Sequence, residues 1–160
     1  MKRDLQKALD NVEMTYGELI AIATSIVDPI FADINSTINS IENSQLYASS
    51  TDSVRDVLLK LALKSFSLSE IKDKASLKQE CAETLRKEAY AKSFNGTDGT
   101  VAFKENSALI SVAEEILVES IYSLVSSMLK TKVDELHRVC DALKTILMSK
   151  MQEAKLSTVI

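Results

Sequence analysis

Tryptophan is absent, proline occurs once, glycine three times, and aromatic residues make up 5% of the 160. A β-sandwich or barrel needs a turn about every ten residues, and four breakers cannot supply them. Two cysteines and one histidine give no ligand spacing for zinc and no disulfide framework beyond a single bridge. No run of ~20 uncharged apolar residues exists, so no membrane span is expected: the window 19–27 ends at Asp28-Pro29, and the window 108–129 contains Glu114, Glu115 and Glu119. No signal peptide is read at the start, where Met1-Lys2-Arg3 is followed by Asp4 and Lys7. The nucleophile elbow, the P-loop, the zinc-protease motif and the dinucleotide fingerprint are all missing.

What is present is helical. Apolar residues form 46% of the chain and charged residues 26%, with a net charge of −4. That composition excludes a disordered chain and a bulk polycation. Charge is nonetheless uneven. Residues 1–52 carry −5, 53–94 carry +3, 95–129 carry −4 and 130–160 carry +2.

In the first 52 residues Tyr16, Ile20, Ala23, Val27, Ile30, Ile34, Ile38 and Ile41 recur at helical spacing. Asp28-Pro29 predicts a kink or break there, which makes an N-terminal helical pair. Residues 43–52 read as a loop, with Thr51, Asp52 or Ser53 capping the next helix. Residues 53–94 contain neither glycine nor proline. Their stripe of Val54, Leu58, Leu61, Ser65, Leu68, Ile71, Ala75, Ala82, Leu85 and Ala89 predicts one long helix, with Lys78 inside the stripe. Asn95-Gly96-Thr97-Asp98-Gly99 predicts a turn with Gly96 as a left-handed C-cap. Thr100 or Ser107 then caps a last helix running to about Lys155. Its first half repeats Ile110, Leu117 and Leu124, with Ile121 and Met128 interleaved. Its second half sets Leu129, Val133, Leu136, Cys140, Leu143 and Leu147 at heptad spacing, with a register shift near Met128-Leu129.

The expected fold is all-α. It consists of a long antiparallel helical hairpin over 53–160, acting as a single structural unit, with an N-terminal helical segment over 1–52 and a coiled-coil-like C-terminal helix. A helix of roughly 80 Å exceeds what a globule with a radius of gyration of about 15 Å can bury. The C-terminal seam therefore predicts a homo-oligomer built through Leu129, Val133, Leu136, Cys140, Leu143 and Leu147.

Sites for chemistry are sparse. Cys140 and His137 stand three apart on one helix, but nothing orients the imidazole, and a seam cysteine beside a flanking histidine is the simpler account. Both cysteines are read as buried free thiols in a reducing cytoplasm. Glu114, Glu115 and Glu119 lack the E-x-x-H partner of a di-metal site and read as a solvated face. Neither an enzyme nor a cofactor or metal is expected.

One charge pattern stands out. Lys60, Lys64, Lys74, Lys78 and Lys92 fall within roughly 80° on one helix, with Arg86 just beyond. Such a stripe suits a phosphodiester backbone, with Tyr90 and Phe94 as stacking rings. The competing account is an ordinary solvated face balanced by carboxylates one turn away.

The order of features over the C-terminal two-thirds resembles the T4-type phage recombination mediators (UvsY-like). It lies in Leu85-Arg86-Lys87-Glu88-Ala89-Tyr90-Ala91-Lys92-Ser93-Phe94, then the Asn95–Gly99 loop, then Thr100-Val101-Ala102-Phe103-Lys104 opening a long helix. That helix ends in the stretch Leu136-His137-Arg138-Val139-Cys140-Asp141-Ala142-Leu143-Lys144-Thr145-Ile146-Leu147. The resemblance implies a helical, ring-forming, non-enzymatic accessory protein of phage recombination in the host cytoplasm. It implies binding of single-stranded DNA with Arg86, Lys87 and Lys92 as contacts, and a recombinase or single-strand-binding protein as partner. The acidic N-terminal 52 residues depart from the family pattern. The alternative is a helical adaptor or host-takeover inhibitor that binds another protein through an apolar helical surface.

Overall fold

In the computed structural model, which describes residues 2–42 and 49–157, four helices follow one another: α1 (Lys2–Glu42), α2 (Thr51–Gly96), α3 (Val101–Ser111) and α4 (Ala113–Ser157). No strand occurs among the described residues, and the fold is all-α. The expected loop over 43–52 lies mostly outside the described residues.

The chain divides into two compact units, and the division differs from a split at residue 52. Unit 1 combines Met1–Val27 with Asp73–Ser127; unit 2 combines Asp28–Lys72 with Met128–Ile160. Helices α1, α2 and α4 each contribute to both. The boundary on α1 falls directly before the Asp28-Pro29 pair, and that on α4 falls at Ser127/Met128, where the register shift is expected.

Unit 2 has the larger core side chains. Val54, Leu61 and Leu68 of α2 and Leu129, Leu136 and Leu143 of α4 are buried, with Ile34 from α1. The 51–72 part of α2 runs antiparallel to α4: the Lys150 Nζ donates to the Ser49 carbonyl at 2.8 Å, and farther along α2 Phe66 shares a groove with His137. In unit 1 the α2 seam shrinks to Ala75 and Ala82, packed with Ala23 and Val27 of α1, Ala108 of α3, and Val112 and Val125. There, too, α2 and α4 are antiparallel: Ser76 meets Ser126 at 3.1 Å, and farther along α2 Arg86 meets Glu119.

Several expectations change. Helix α1 continues through Pro29. Proline removes one helical hydrogen bond, but Ser25 and Pro29 both lie on the exposed face, where water meets the released carbonyl. Helix α2 is capped by Ser50, not by Thr51, Asp52 or Ser53: the Ser50 hydroxyl accepts from the Ser53 N–H at 3.2 Å. Gly96 stays helical, and Gly99 takes the positive φ of 133° instead. Thr100 caps α3 by accepting from the Phe103 N–H, as one of the two expected caps.

The last helix is two helices. Val112 interrupts it at φ −109° and ψ 16°. The Ser111 hydroxyl donates to the Ala108 carbonyl at 2.8 Å, the acceptor the next helical N–H would have used. Glu114 and Glu115 then sit in the first turn of α4, where its dipole favours negative charge. The interruption shifts the phase, so Ile110 (77% exposed) and Leu117 leave the expected seam. Ala108, Val112 and Val125 occupy the core instead.

Leu61 and Leu136 are fully buried whereas Leu63 is 63% exposed. Leu61→Ala or Leu136→Ala is therefore expected to cost about 2–5 kcal/mol, and Leu63→Ala no more than about 0.5 kcal/mol, read by urea denaturation. A Cβ added at Gly17 in α1 would meet open space, while one added at Gly99 would meet the Phe103 ring at 3.0 Å. Gly17→Ala should thus stabilise by about 0.5–1 kcal/mol and Gly99→Ala should destabilise, both seen as shifts in the thermal midpoint.

Candidate functional site

The seven cations expected to contact nucleic acid are distributed over both units and do different work. In unit 2, Lys64 is drawn to the Asp33 carboxylate, and Lys60 is exposed without a carboxylate partner among the described residues. In unit 1, Arg86 Nε pairs with Glu119 at 2.5 Å, and both side chains are about three-quarters shielded. Lys87 pairs with Glu83 at 2.6 Å, one turn away, and this bond holds the Glu83 carboxyl below its usual range. Lys78 lies over the Tyr122 ring at 5.7 Å. Lys74 is exposed and engaged elsewhere, and Lys92 is exposed.

The two rings expected to stack on bases stack on each other. Tyr90 and Phe94 have centroids 6.3 Å apart at 17°, both half-buried, and the Lys104 Nζ lies over Phe94 at 6.0 Å. Lys104 is not among the expected site residues. Its place beside Phe94 depends on the turn that reverses α2 into α3.

The seam assigned to subunit contacts is internal. Leu129, Val133, Leu136, Cys140 and Leu143 are all buried in unit 2 of a single chain, and Leu147 is half-buried. Segments 28–42 and 51–72 of the same chain make up the rest of that unit. These residues therefore supply no face for a second copy, because long helices from one chain cover one another. The thiols divide as well: Cys140 is buried, and Cys81 is exposed rather than buried as expected. Burial pushes the Cys140 thiol up, against a smaller opposing pull from Lys144, so it is a poor nucleophile. His137 beside it is exposed. Among the described residues no group of three His, Cys, Asp or Glu side chains is placed to hold a metal ion, and no helix is long and apolar enough to cross a membrane.

The feature that the helical pattern did not isolate is the outer face of α2. In unit 2, Leu59, Leu63 and Phe66 stand on adjacent turns, and Phe66 is 78% exposed. Leu59 and Phe66 border a groove of about 530 Å³ shared with His137, Cys140 and Lys144 of α4. In unit 1, Leu77, Cys81 and Leu85 form a ridge beside a groove of about 550 Å³, whose far wall is Val118 and Tyr122. Here α2 inverts the usual order: alanines 75 and 82 face the core, while Leu77 and Leu85 are 58% and 61% exposed. Burying those two leucines in the core would have contributed about 1.5–3 kcal/mol each. A signal for this existed in the sequence. Leu59, Leu63 and Phe66, and again Leu77, Cys81 and Leu85, follow one another at three- and four-residue spacing, beside the more prominent core seam.

Comparison with known proteins gives no matching family model, no matching curated protein and no matching solved structure.

The Arg86–Glu119 pair gives a direct check on what that arginine does. Arg86→Ala leaves a shielded carboxylate unpaired and is expected to cost about 1–3 kcal/mol of folding stability. Lys87→Ala, on an exposed pair, is expected to cost no more than about 0.5 kcal/mol. Thermal denaturation of the two variants separates them.

Proposed function

We propose that the protein is a non-enzymatic helical adaptor that binds another protein through the apolar outer face of α2 and the neighbouring wall of α4. One observation carries this reading: in unit 1 the small side chains of α2 face inward and its leucines face outward. Large exposed apolar surfaces on a folded chain mark interaction sites. Grooves between two helices take a third helix by its apolar stripe. An exposed free thiol at Cys81 suits a reducing compartment such as the cytoplasm.

A second reading keeps single-stranded DNA as ligand, in line with the resemblance to recombination mediators. It is favoured by Tyr90 and Phe94 with Lys104 at the turn end of unit 1. Arg86 and Lys87 serve it less well, since each already holds a carboxylate. On this reading a recombinase or single-strand-binding protein is a further partner, and assembly into a homo-oligomer must use a surface other than the buried seam.

Two titrations separate the readings. For the adaptor, the native protein enhances the fluorescence of a hydrophobic dye saturably. The variants Phe66→Glu and Leu85→Glu lose that signal while keeping a cooperative melt within about 4 °C of the parent. For strand binding, oligo-dT binds with an affinity that falls steeply between low and moderate salt, because phosphate neutralisation releases ions. Dye binding without oligo-dT binding supports the adaptor. Salt-dependent oligo-dT binding without native dye binding replaces it with the second reading.

A further inference from the structure

We infer that the groove of unit 1 selects its partner by charge, and that the partner is a helix with an apolar stripe flanked by lysine or arginine. This rests on the adaptor reading and names the chemistry of what that groove accepts.

The ridge Leu77–Cys81–Leu85 has carboxylates on both sides. On the α4 side Glu114 and Glu115 line the groove. On the other side Glu80 and Glu88 border a second depression of about 470 Å³ along the same ridge. None of these four carboxylates has an ion-pair partner among the described residues. Several carboxylates elsewhere are matched within the chain: Asp33 by Lys64, Glu83 by Lys87, Glu119 by Arg86, Glu135 by Lys132 and Asp141 by Lys144. The cation that lines the groove, Lys78, is held over the Tyr122 ring.

Four unmatched carboxylates around exposed leucines repel one another and repel any acidic ligand. The same field attracts a cationic helix and fixes its register, as charge complementarity does at interface rims. It disfavours nucleic acid at this groove, whose phosphates would meet the same carboxylates. Leu77, Cys81 and Leu85 on successive turns match the apolar stripe of a helix about three turns long.

Cys81 provides the readout, because it lies on the ridge and is exposed while Cys140 is buried. Its alkylation by a maleimide is followed in the native chain with either of two probes. One is a helical peptide of about 18 residues with leucine along one face and lysine elsewhere. The other has glutamate in place of lysine. The lysine peptide is expected to slow alkylation of Cys81 with an apparent affinity about tenfold or more above that of the glutamate peptide. The variant Glu80→Lys with Glu88→Lys, both at exposed positions, is expected to abolish the preference. Equal protection by both peptides overturns the charge inference and leaves the adaptor reading in place. Protection by neither overturns both. Protection of Cys81 that appears on concentrating the protein alone identifies a second copy as occupant and overturns the basic partner. The comparison of peptides on the unaltered chain decides the matter even if the charge-reversal variant fails to fold.

Discussion

The seven-residue repeat along α2 is the constraint on which the other features rest. Val54, Leu61, Leu68, Ala75 and Ala82 are all buried at that spacing. An undistorted helix drifts about 20° per heptad against such a repeat, so the buried stripe winds slowly around α2. Once the stripe is fixed, every other side chain of the helix has its exposure assigned. Lys64 and Arg86 fall at its edge, within reach of Asp33 and Glu119 on neighbouring helices. Leu59, Leu63, Phe66, Leu77 and Leu85 fall on the far side, where they stay exposed among the described residues.

Electrostatics follow from the same geometry. A cation at the edge of a helix–helix seam meets the carboxylates of the facing helix before it meets an external phosphate. Arg86 thus acts as a clamp on α4 within unit 1, as Lys64 does on α1 within unit 2. The residue-level charge of the 53–94 segment is positive, yet part of it is neutralised by partners distant in sequence. Around the leucine ridge of unit 1 the balance is the opposite, with no ion-pair partner for Glu80, Glu88, Glu114 or Glu115 among the described residues.

The helical class, the α2 seam as far as Ala82 and the Thr100 cap were legible because each depends on residues within one or two turns, whereas Leu85, expected in that seam, is exposed. The heptad seam of α4 was legible too, but not its use, since spacing identifies a buried face without saying whether the cover is the same chain or another copy. Three local signals were overridden or passed over. Pro29 is tolerated inside α1 because its side of the helix faces water. Gly96 yields the left-handed position to Gly99, which the turn into α3 requires. Ser111, whose hydroxyl takes the Ala108 carbonyl at the end of α3, was obscured by the apolar residues around it. The outer face of α2 was hidden by a different cause: its leucines share the composition and period of the core stripe, and only three-dimensional packing separates the two.

The contrast between the α2 seams also sets how each unit responds to change in volume. Unit 2 holds Leu61 and Leu68 at the seam, and unit 1 holds Ala75 and Ala82. Trimming side chains opens voids in the first and has almost nothing to remove in the second. Enlarging them reverses the order, since a methylene added at an alanine seam forces two helix backbones apart. One helix thus carries opposite sensitivities toward its two ends.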